Sequence, residues 1–294
     1  MKVGDPEPDQ PEETRMERAR TALPRREFLR DSAVAVGAVL LCSGPLASCR
    51  RAERRGGFED DYYTSRKTEL MEGFDELREH ARQVVTASYG AELSDAIDAD
   101  ARRELESLIP EIPYIGGDAN QLTDELVQAA MALALHRAMK RHGRSAEETG
   151  EVLYRIVEAM VGSHPKLLTR AIGFYQMSGF GQRQVRRGAL ESQQRSYPGD
   201  WVYSFVEGEG EAFDWGIDFT ECGIVKFFRA QGAEELAPYL CLADYPMSEA
   251  FGTGLVRSTT IAEGGERCDF RFKRGRETSR EGRPQARSTP EVKG

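Results

Sequence analysis

The sequence WVYSFVEGEGEAFDWGIDF, from Trp201 to Phe219, decides the fold class of this chain. Apolar and aromatic side chains stand at every second position in two runs, and the glycine-containing segment 207–210 lies between them. A period of two is typical of a strand with one buried face. The stretch therefore predicts two antiparallel strands joined by a turn at 207–210.

The residues that follow predict two helical segments and two more strands. Thr220 is predicted to cap a helix that ends near Gln231, and a second helical stretch is predicted at 234–251. The two strands are predicted at 255–262 and 267–272, with a Glu-Gly-Gly turn between them.

The residues before the first strand follow a helical period. From 64 to 195, apolar side chains recur at three- and four-residue steps with polar residues between them, which is typical of amphipathic helices. Helices are predicted at 121–141, 146–162 and 166–177. The predicted fold class is therefore α+β, in which a helical bundle packs on a mainly antiparallel four-stranded sheet with an inserted helix pair. The single domain at 64–272 comprises a helical half, 64–195, and a sheet half, 196–272.

The first 48 residues have the layout of an export signal. Arg25 and Arg26 precede Phe-Leu, and an almost uncharged apolar run at 33–42 is followed by the tetrapeptide Leu-Ala-Ser-Cys, which ends at Cys49. Ten residues at about 1.5 Å each cannot cross a hydrocarbon core about 30 Å thick, so the run is typical of a cleaved signal. The arginine pair resembles a twin-arginine export signal, and the tetrapeptide resembles a lipobox.

This layout predicts an exported lipoprotein. The twin-arginine translocase and the lipoprotein-processing machinery are the expected partners, and Cys49 is the expected lipidation site. We expect an anchor on the extracytoplasmic side of a membrane, which is the periplasmic side in a Gram-negative cell. A basic tether at 49–63 is placed to lie on anionic lipid, and 273–294 is predicted to be a disordered basic tail.

The charge of the chain argues against one class of partner. The formal net charge is −9, whereas proteins that bind nucleic acid do so by neutralising phosphates with basic residues. We therefore expect no nucleic-acid partner.

Six short runs of the C-terminal half carry a resemblance to a known family. They are Phe213-Asp214-Trp215-Gly216, Glu221-Cys222-Gly223, Tyr239-Leu240-Cys241-Leu242-Ala243-Asp244, Gly254-Leu255-Val256-Arg257-Ser258-Thr259, Ala262-Glu263-Gly264 and Cys268-Asp269-Phe270-Arg271-Phe272. With them, the chain from about 195 to 272 resembles the L-2-amino-thiazoline-4-carboxylic acid hydrolase family. The resemblance implies a small-molecule substrate and hydrolysis of a carbon–nitrogen bond in a cyclic amidine, which gives an N-carbamoyl amino acid.

The predicted catalytic set is Cys222, Cys241, Asp244 and Cys268. Cys222 is predicted two positions after the cap Thr220, in a first helical turn, where free N–H groups stabilise a thiolate. Such a thiolate could attack the carbon between sulfur and nitrogen of a thiazoline. The alternative is a small buried residue at a strand-to-helix junction. Asp244 shares a helix face with Cys241 and could act as a general base, orient a water, or be a solvated carboxylate.

Cys268 and Asp269 are predicted to point to opposite faces of the last strand. The alternation places Cys268 with the two phenylalanines of this strand and turns Asp269 away from them. The pattern favours Cys268 near the apolar core and Asp269 in an ion pair with Arg257 or Arg271.

The three thiols allow two further arrangements. Cys222, Cys241 and Cys268 could hold a zinc-like divalent metal whose bound water attacks the substrate, although their spacings are not those of zinc knuckles. Two of them could instead form a disulfide outside the cytoplasm. The alternative function is therefore a non-enzymatic lipoprotein that binds a metal or a small ligand through its thiols. Among the histidines, His164 is the one predicted as a proton-transfer partner.

Overall fold

The computed structural model describes residues 61–278. The predicted export signal with Arg25 and Arg26, the lipidation site Cys49 and most of the two basic ends lie outside the described residues. Within residues 61–278, helices dominate and are accompanied by a small antiparallel sheet. No helix in this range is long and apolar enough to span a membrane.

The chain before the sheet winds into consecutive helices. They are α1 (Tyr62–Ser65), α2 (Lys67–Tyr89), α3 (Ala91–Leu108), α4 (Thr123–Arg141), α5 (Ala146–Ser163), α6 (Lys166–Gln176) and α7 (Gly179–Ser192). The helices predicted at 121–141, 146–162 and 166–177 are confirmed as α4, α5 and α6, with ends that differ by about two residues at most.

Local side chains explain where α4 and α5 begin and end. The hydroxyl of Ser145 accepts the N–H of Glu148, and the Glu148 carboxylate accepts the N–H of Ser145, so both cap the first turn of α5. After α4, Gly143 has a φ of 75°, a conformation that costs glycine least. Most side chains of α4 are buried, because α3, α5 and the sheet half all pack around this helix.

The C-terminal half contains the sheet and a set of inserted helices. β1 (Val202–Glu207), β2 (Trp215–Glu221) and β3 (Cys268–Phe272) pair antiparallel in the order β1-β2-β3. Between β2 and β3 lie α8 (Gly223–Ala230), α9 (Ala237–Leu240) and α10 (Asp244–Phe251). Because α8 packs on α4 and α7 packs on β1, both halves share one hydrophobic core.

The strand predicted at 255–262 is not formed. In the segment 255–262, Val256 forms only an isolated bridge with Arg271. The hydroxyl of Thr260 then accepts the N–H of Glu263 and starts a 3-10 turn at Ile261–Glu263, which competes with strand pairing. Within residues 61–278 the sheet therefore has three strands.

The predicted cap at Thr220 is also wrong. Strand β2 continues through Glu221, and the hydroxyl of Thr220 donates to the backbone oxygen of Val202 on β1. Helix α8 begins at Gly223, so Cys222 is its N-cap, with an extended backbone at φ −118° and ψ 119°. The next residue must be small, because a Cβ at Gly223 would lie 2.7 Å from the Trp201 ring.

The domain extends beyond the boundary predicted at residue 272. Lys273 donates to the backbone oxygen of Gly210 at 2.8 Å, and the hydroxyl of Thr278 lies 2.8 Å from that of Ser248 on α10. Thr278 is buried. The first residues of the predicted tail, 273–278, therefore pack against the domain.

Candidate functional site

A cavity of about 410 Å³ lies between the helical half and one end of the sheet. Apolar side chains from α2, α4 and α5 form much of its wall. Charged residues of α2, α3 and α4 line it as well. Five other lining residues act on one another's pKa values and so lie together, and we call their part of the wall the polar end: Cys222, Cys241, Asp244, Arg257 and Cys268. All four residues of the predicted catalytic set thus line one cavity, of a size typical for small-molecule sites.

Cys222 lies where β2 gives way to α8. The N–H groups of Ile224 and Val225 and the side chain of Trp201 lower the pKa of its thiol, but burial has the larger effect and raises that pKa above its ordinary value. The expected stabilisation of a thiolate by the helix N-terminus is present but is outweighed. Cys222 is therefore a neutral thiol at neutral pH.

Cys241 and Cys268 are neutral for the same reason. Cys241 opens a 3-10 turn at Cys241–Ala243, and burial raises the pKa of its thiol well above the ordinary value. Cys268 is the first residue of β3, and its sulfur accepts the N–H of Ile261 at 3.2 Å. Burial outweighs this hydrogen bond and raises the pKa of Cys268 to about 11. The prediction that Cys268 faces the apolar core is confirmed, since it is buried beside Phe270 and Phe272.

Asp244 forms an ion pair with Arg257 at the polar end of the cavity. The guanidinium of Arg257 donates to the Asp244 carboxylate at 2.6 Å and to the backbone oxygen of Cys241 at 2.9 Å. The rings of Tyr245 and Phe270 lie 5.3 Å and 5.0 Å from the guanidinium carbon. Burial raises the pKa of Asp244, and the charge of Arg257 opposes that rise. Of the alternatives for Asp244, the solvated helix carboxylate is therefore excluded, because the side chain is paired with Arg257 and is 14% exposed.

The sequence pattern did not predict that Arg257 pairs with Asp244. Its side chain is only 3% exposed, and it reaches the cavity from the irregular segment that was predicted as a strand. The sequence held one signal, because Arg257 is the charged residue of the run Gly254–Thr259 that carries the resemblance.

Asp269 holds the segment next to Arg257. Its carboxylate accepts the backbone N–H groups of Ser258 and Thr259, each at 2.8 Å, and the hydroxyl of Ser258. Burial opposes these hydrogen bonds, which together lower the pKa of Asp269. The predicted ion pair is wrong, because Arg257 binds Asp244 and Arg271 binds Asp218. Asp269 does not line the cavity and acts as a positioning residue for the Arg257 segment.

The histidines divide between the cavity and structural roles. His164, the predicted proton-transfer partner, lines the cavity between α5 and α6, and His80 on α2 lines it as well. His136 is buried and contacts Thr149 and Glu235, and burial lowers the pKa of its ring.

The donor set does not fit a metal site. Within residues 61–278, no group of three or more His, Cys, Asp or Glu side chains is placed to hold a metal ion. The zinc hypothesis for Cys222, Cys241 and Cys268 therefore lacks the ligand geometry it needs. All three thiols are free, so the predicted disulfide alternative is not formed either.

A comparison with known families matches the same part of the chain. The sequence model of the L-2-amino-thiazoline-4-carboxylic acid hydrolases matches residues 124–272, which is about half of the 294 residues. The chain belongs to this family. The family segment runs from α4 to β3 and contains the whole polar end of the cavity, whereas α2 and α3 lie outside it. No curated protein and no solved structure matches the chain.

Proposed function

We propose that the chain hydrolyses a small cyclic amidine-like substrate, similar to L-2-amino-thiazoline-4-carboxylate, and releases an N-carbamoyl amino acid. One observation carries the proposal: in a chain of this family, Cys222 and the Asp244–Arg257 pair lie at the same end of one cavity. Much of the cavity wall is apolar, and an apolar surrounding strengthens the electrostatic interactions among the polar groups that face it.

The proposed reaction uses Cys222 as the nucleophile. Its sulfur forms a bond to the carbon between sulfur and nitrogen of the ring, and the thiol proton passes to the ring nitrogen. The bond from that carbon to the ring sulfur then breaks, and the substrate sulfur leaves as a thiol with a proton from the exocyclic amino group, which becomes a C=N group. The bond that opens the ring is therefore carbon–sulfur, and both carbon–nitrogen bonds are kept in the product. Water adds to the carbon that is now attached to Cys222, the Cys222 sulfur leaves and regains a proton, and a urea group remains on the product. One water is consumed overall.

The other polar residues support this chemistry in different ways. Asp244 is the carboxylate that we assign to relay the thiol proton, because its charge already acts on the pKa of Cys222. Burial has the larger effect on Asp244 and raises its pKa, whereas the charge and hydrogen bond of Arg257 favour the ionised carboxylate. Cys241 and Cys268 are neutral thiols that line the cavity around the reacting carbon. His164 is a second proton-transfer group.

The test is turnover of L-2-amino-thiazoline-4-carboxylate by the purified full chain, followed by chromatography of the N-carbamoyl product. We expect Cys222→Ala to abolish turnover and Cys241→Ala, the matched control, to retain it in part. Because the pKa of the Cys222 thiol is raised, kcat/KM should increase with pH from neutral into the alkaline range. Full turnover by the Cys222→Ala variant would overturn the nucleophile.

A second candidate is a small-ligand-binding protein without catalysis. The observation that favours it is the protonated state of all three thiols, since burial raises each pKa. In this case the full chain would bind the thiazoline in calorimetry, release no product, and bind equally well as Cys222→Ser.

We also propose export and lipid anchoring, which rest on the sequence before residue 61. Replacement of Arg25 and Arg26 by lysine should leave the precursor in the cytoplasm, because the twin-arginine route requires the pair. Cys49→Ala should release the protein from the membrane fraction after export. Normal export of the double lysine variant would refute the twin-arginine route.

A further inference from the structure

The charge of the domain is distributed unevenly. Residues 61–278 carry 25 Lys and Arg against 36 Asp and Glu, which gives them a net charge of −11. From Ala159 to Leu190, however, the chain contains five Lys and Arg and no Asp or Glu. This segment covers the end of α5, all of α6 and most of α7. An acidic domain thus presents one cationic pair of helices.

The same two helices expose apolar side chains. Among residues 61–278, the large hydrophobic residues that are exposed all belong to α6 and α7, and they are Leu167, Phe174, Phe180 and Leu190. Leu167 and Leu190 are 84% and 73% exposed. On α6, Leu167, Arg170 and Phe174 are spaced three and four residues apart, so they share one side of the helix. Phe180, Arg183, Arg187 and Leu190 do the same on α7. We call these seven residues the α6–α7 face.

Arginines accompany the exposed rings. The guanidinium of Arg183 lies 5.7 Å from the centre of the Phe180 ring, and that of Arg274 lies 5.1 Å from the centre of the Phe174 ring. Arg274 also donates to the backbone oxygen of Met177, between the two helices. Exposed aromatic and leucine side chains interleaved with arginine are the composition of a surface that lies in a lipid headgroup region.

The described chain ends at Thr278, near α6. Thr278 is held by Ser248 on α10, and α10 packs directly against α6. The sequence that follows Thr278 contains four Lys and Arg against two Asp and Glu. The described chain therefore ends near α6 and is followed by a sequence that is net basic.

We propose that the α6–α7 face docks on an anionic lipid surface, with the leucine and phenylalanine side chains inserted among the headgroups and the arginines bound to phosphates. This inference is independent of the reaction and of the lipid anchor. A lipid surface is favoured over a second copy of the chain, because two copies meeting through this face would bring like charges together. Each arginine near an anionic surface strengthens binding by a factor of about five, and the apolar side chains add a part that salt does not screen.

The test uses the full chain with Cys49→Ser, which carries no acyl group, and vesicles of phosphatidylcholine with or without phosphatidylglycerol. We expect sedimentation with the mixed vesicles only, and weaker sedimentation at high salt. Arg183→Gln with Arg187→Gln should weaken binding roughly thirtyfold. Phe174→Ser should weaken it several-fold at every salt concentration.

The matched control is Arg103→Gln with Arg229→Gln, on other surfaces. The side chains of Arg187 and Arg103 are almost equally exposed, at 66% and 67%, and each pairs with a carboxylate on its own helix. The control should bind vesicles like the parent chain. Equal loss in both double variants, or binding that ignores phosphatidylglycerol, would overturn the proposal. A dimer in solution that Phe174→Ser dissociates would overturn it as well and assign the face to a second copy.

Discussion

The cavity around Cys222 and the α6–α7 face depart from the usual distribution of side chains in opposite ways. The cavity is lined by three thiols and by an arginine and an aspartate whose side chains are 3% and 14% exposed, whereas the face exposes two leucines and two phenylalanines. Buried charges are rare unless they are paired, and Asp244 and Arg257 satisfy each other within the chain. The exposed apolar groups can leave water only by contact with something beyond residues 61–278. The charged groups of the cavity are thus paired within the fold, whereas the apolar side chains of the α6–α7 face are buried only when another surface binds to them.

The largest effect is expected when the pair in the cavity is broken. Arg257→Leu leaves Asp244 buried without its partner and should lower the free energy of unfolding by about 3–5 kcal/mol, measured by urea denaturation. Arg257→Leu combined with Asp244→Leu should recover most of that loss. The exposed pair Arg229–Glu234 gives the contrast, because its two side chains are 68% and 55% exposed and Arg229→Leu should cost less than about 1 kcal/mol. Equal costs for the two arginines would contradict the difference between buried and exposed charges.

The buried thiols predict a pH dependence of stability. Burial raises the pKa of Cys268 from 9.0 to about 11, so between these values the unfolded chain loses a proton that the folded chain keeps. The free energy that the Cys268 thiol contributes to folding is fully present below pH 9.0. It is lost as the pH rises toward about 11, by about 1.4 kcal/mol per pH unit. Cys268→Ser retains the acceptor for Ile261 but does not titrate, and its unfolding free energy should fall less steeply over this range. Parallel profiles would refute the raised pKa.

A glycine on α6 connects the exposed face to the core. A Cβ at Gly173 would overlap the backbone carbonyl of Phe251 on α10, and because backbone cannot move aside cheaply, Gly173→Ala should cost about 1–3 kcal/mol. Gly73, in the middle of α2, has open space at the Cβ position. Gly73→Ala should therefore stabilise the chain by about 0.5–1 kcal/mol. Thermal unfolding of the two variants should shift in opposite directions.

The smallest stability effect is expected on the α6–α7 face. Leu167→Ser and Leu190→Ser remove side chains that already contact water, so each should change the free energy of unfolding by less than about 0.5 kcal/mol. Leu133→Ala, in the buried centre of α4, should cost about 2–5 kcal/mol. A large loss at Leu167 or Leu190 would mean that these residues pack within the domain, and the contrast with the cavity would disappear.

Patterns with strong local causes predicted their elements well. The alternation in Trp201–Phe219 predicted β1 and β2, and Tyr203 and Phe219 indeed face each other across the ladder. The ends of α5 follow from Ser145, which caps the helix, and from Pro165, which disfavours its continuation. These signals are short-range, so they can be read along the chain.

The missed features depend on contacts between distant residues. Thr220 looks like a cap, but pairing with β1 extends β2 past it. The segment 255–262 has strand-like composition, but Thr260 and Asp269 hold its backbone in turns. Because Arg257 lies in this irregular segment, no periodicity could assign its partner, and the pair with Asp244 became visible only in three dimensions.

The ladder between β2 and β3 has a consequence for how the cavity opens. Phe219 pairs with Cys268, and Cys222 directly follows the last residue of β2, so two of the three thiols lie in or next to paired strands. Cys241 sits instead on a single 3-10 turn, Cys241–Ala243. Short turns open locally at a lower free energy than paired strands. Amide hydrogens should therefore exchange slowly at Phe219 and faster across 241–243. A wider substrate would be accommodated by local opening of the turn that carries Cys241, while Cys222 stays in position.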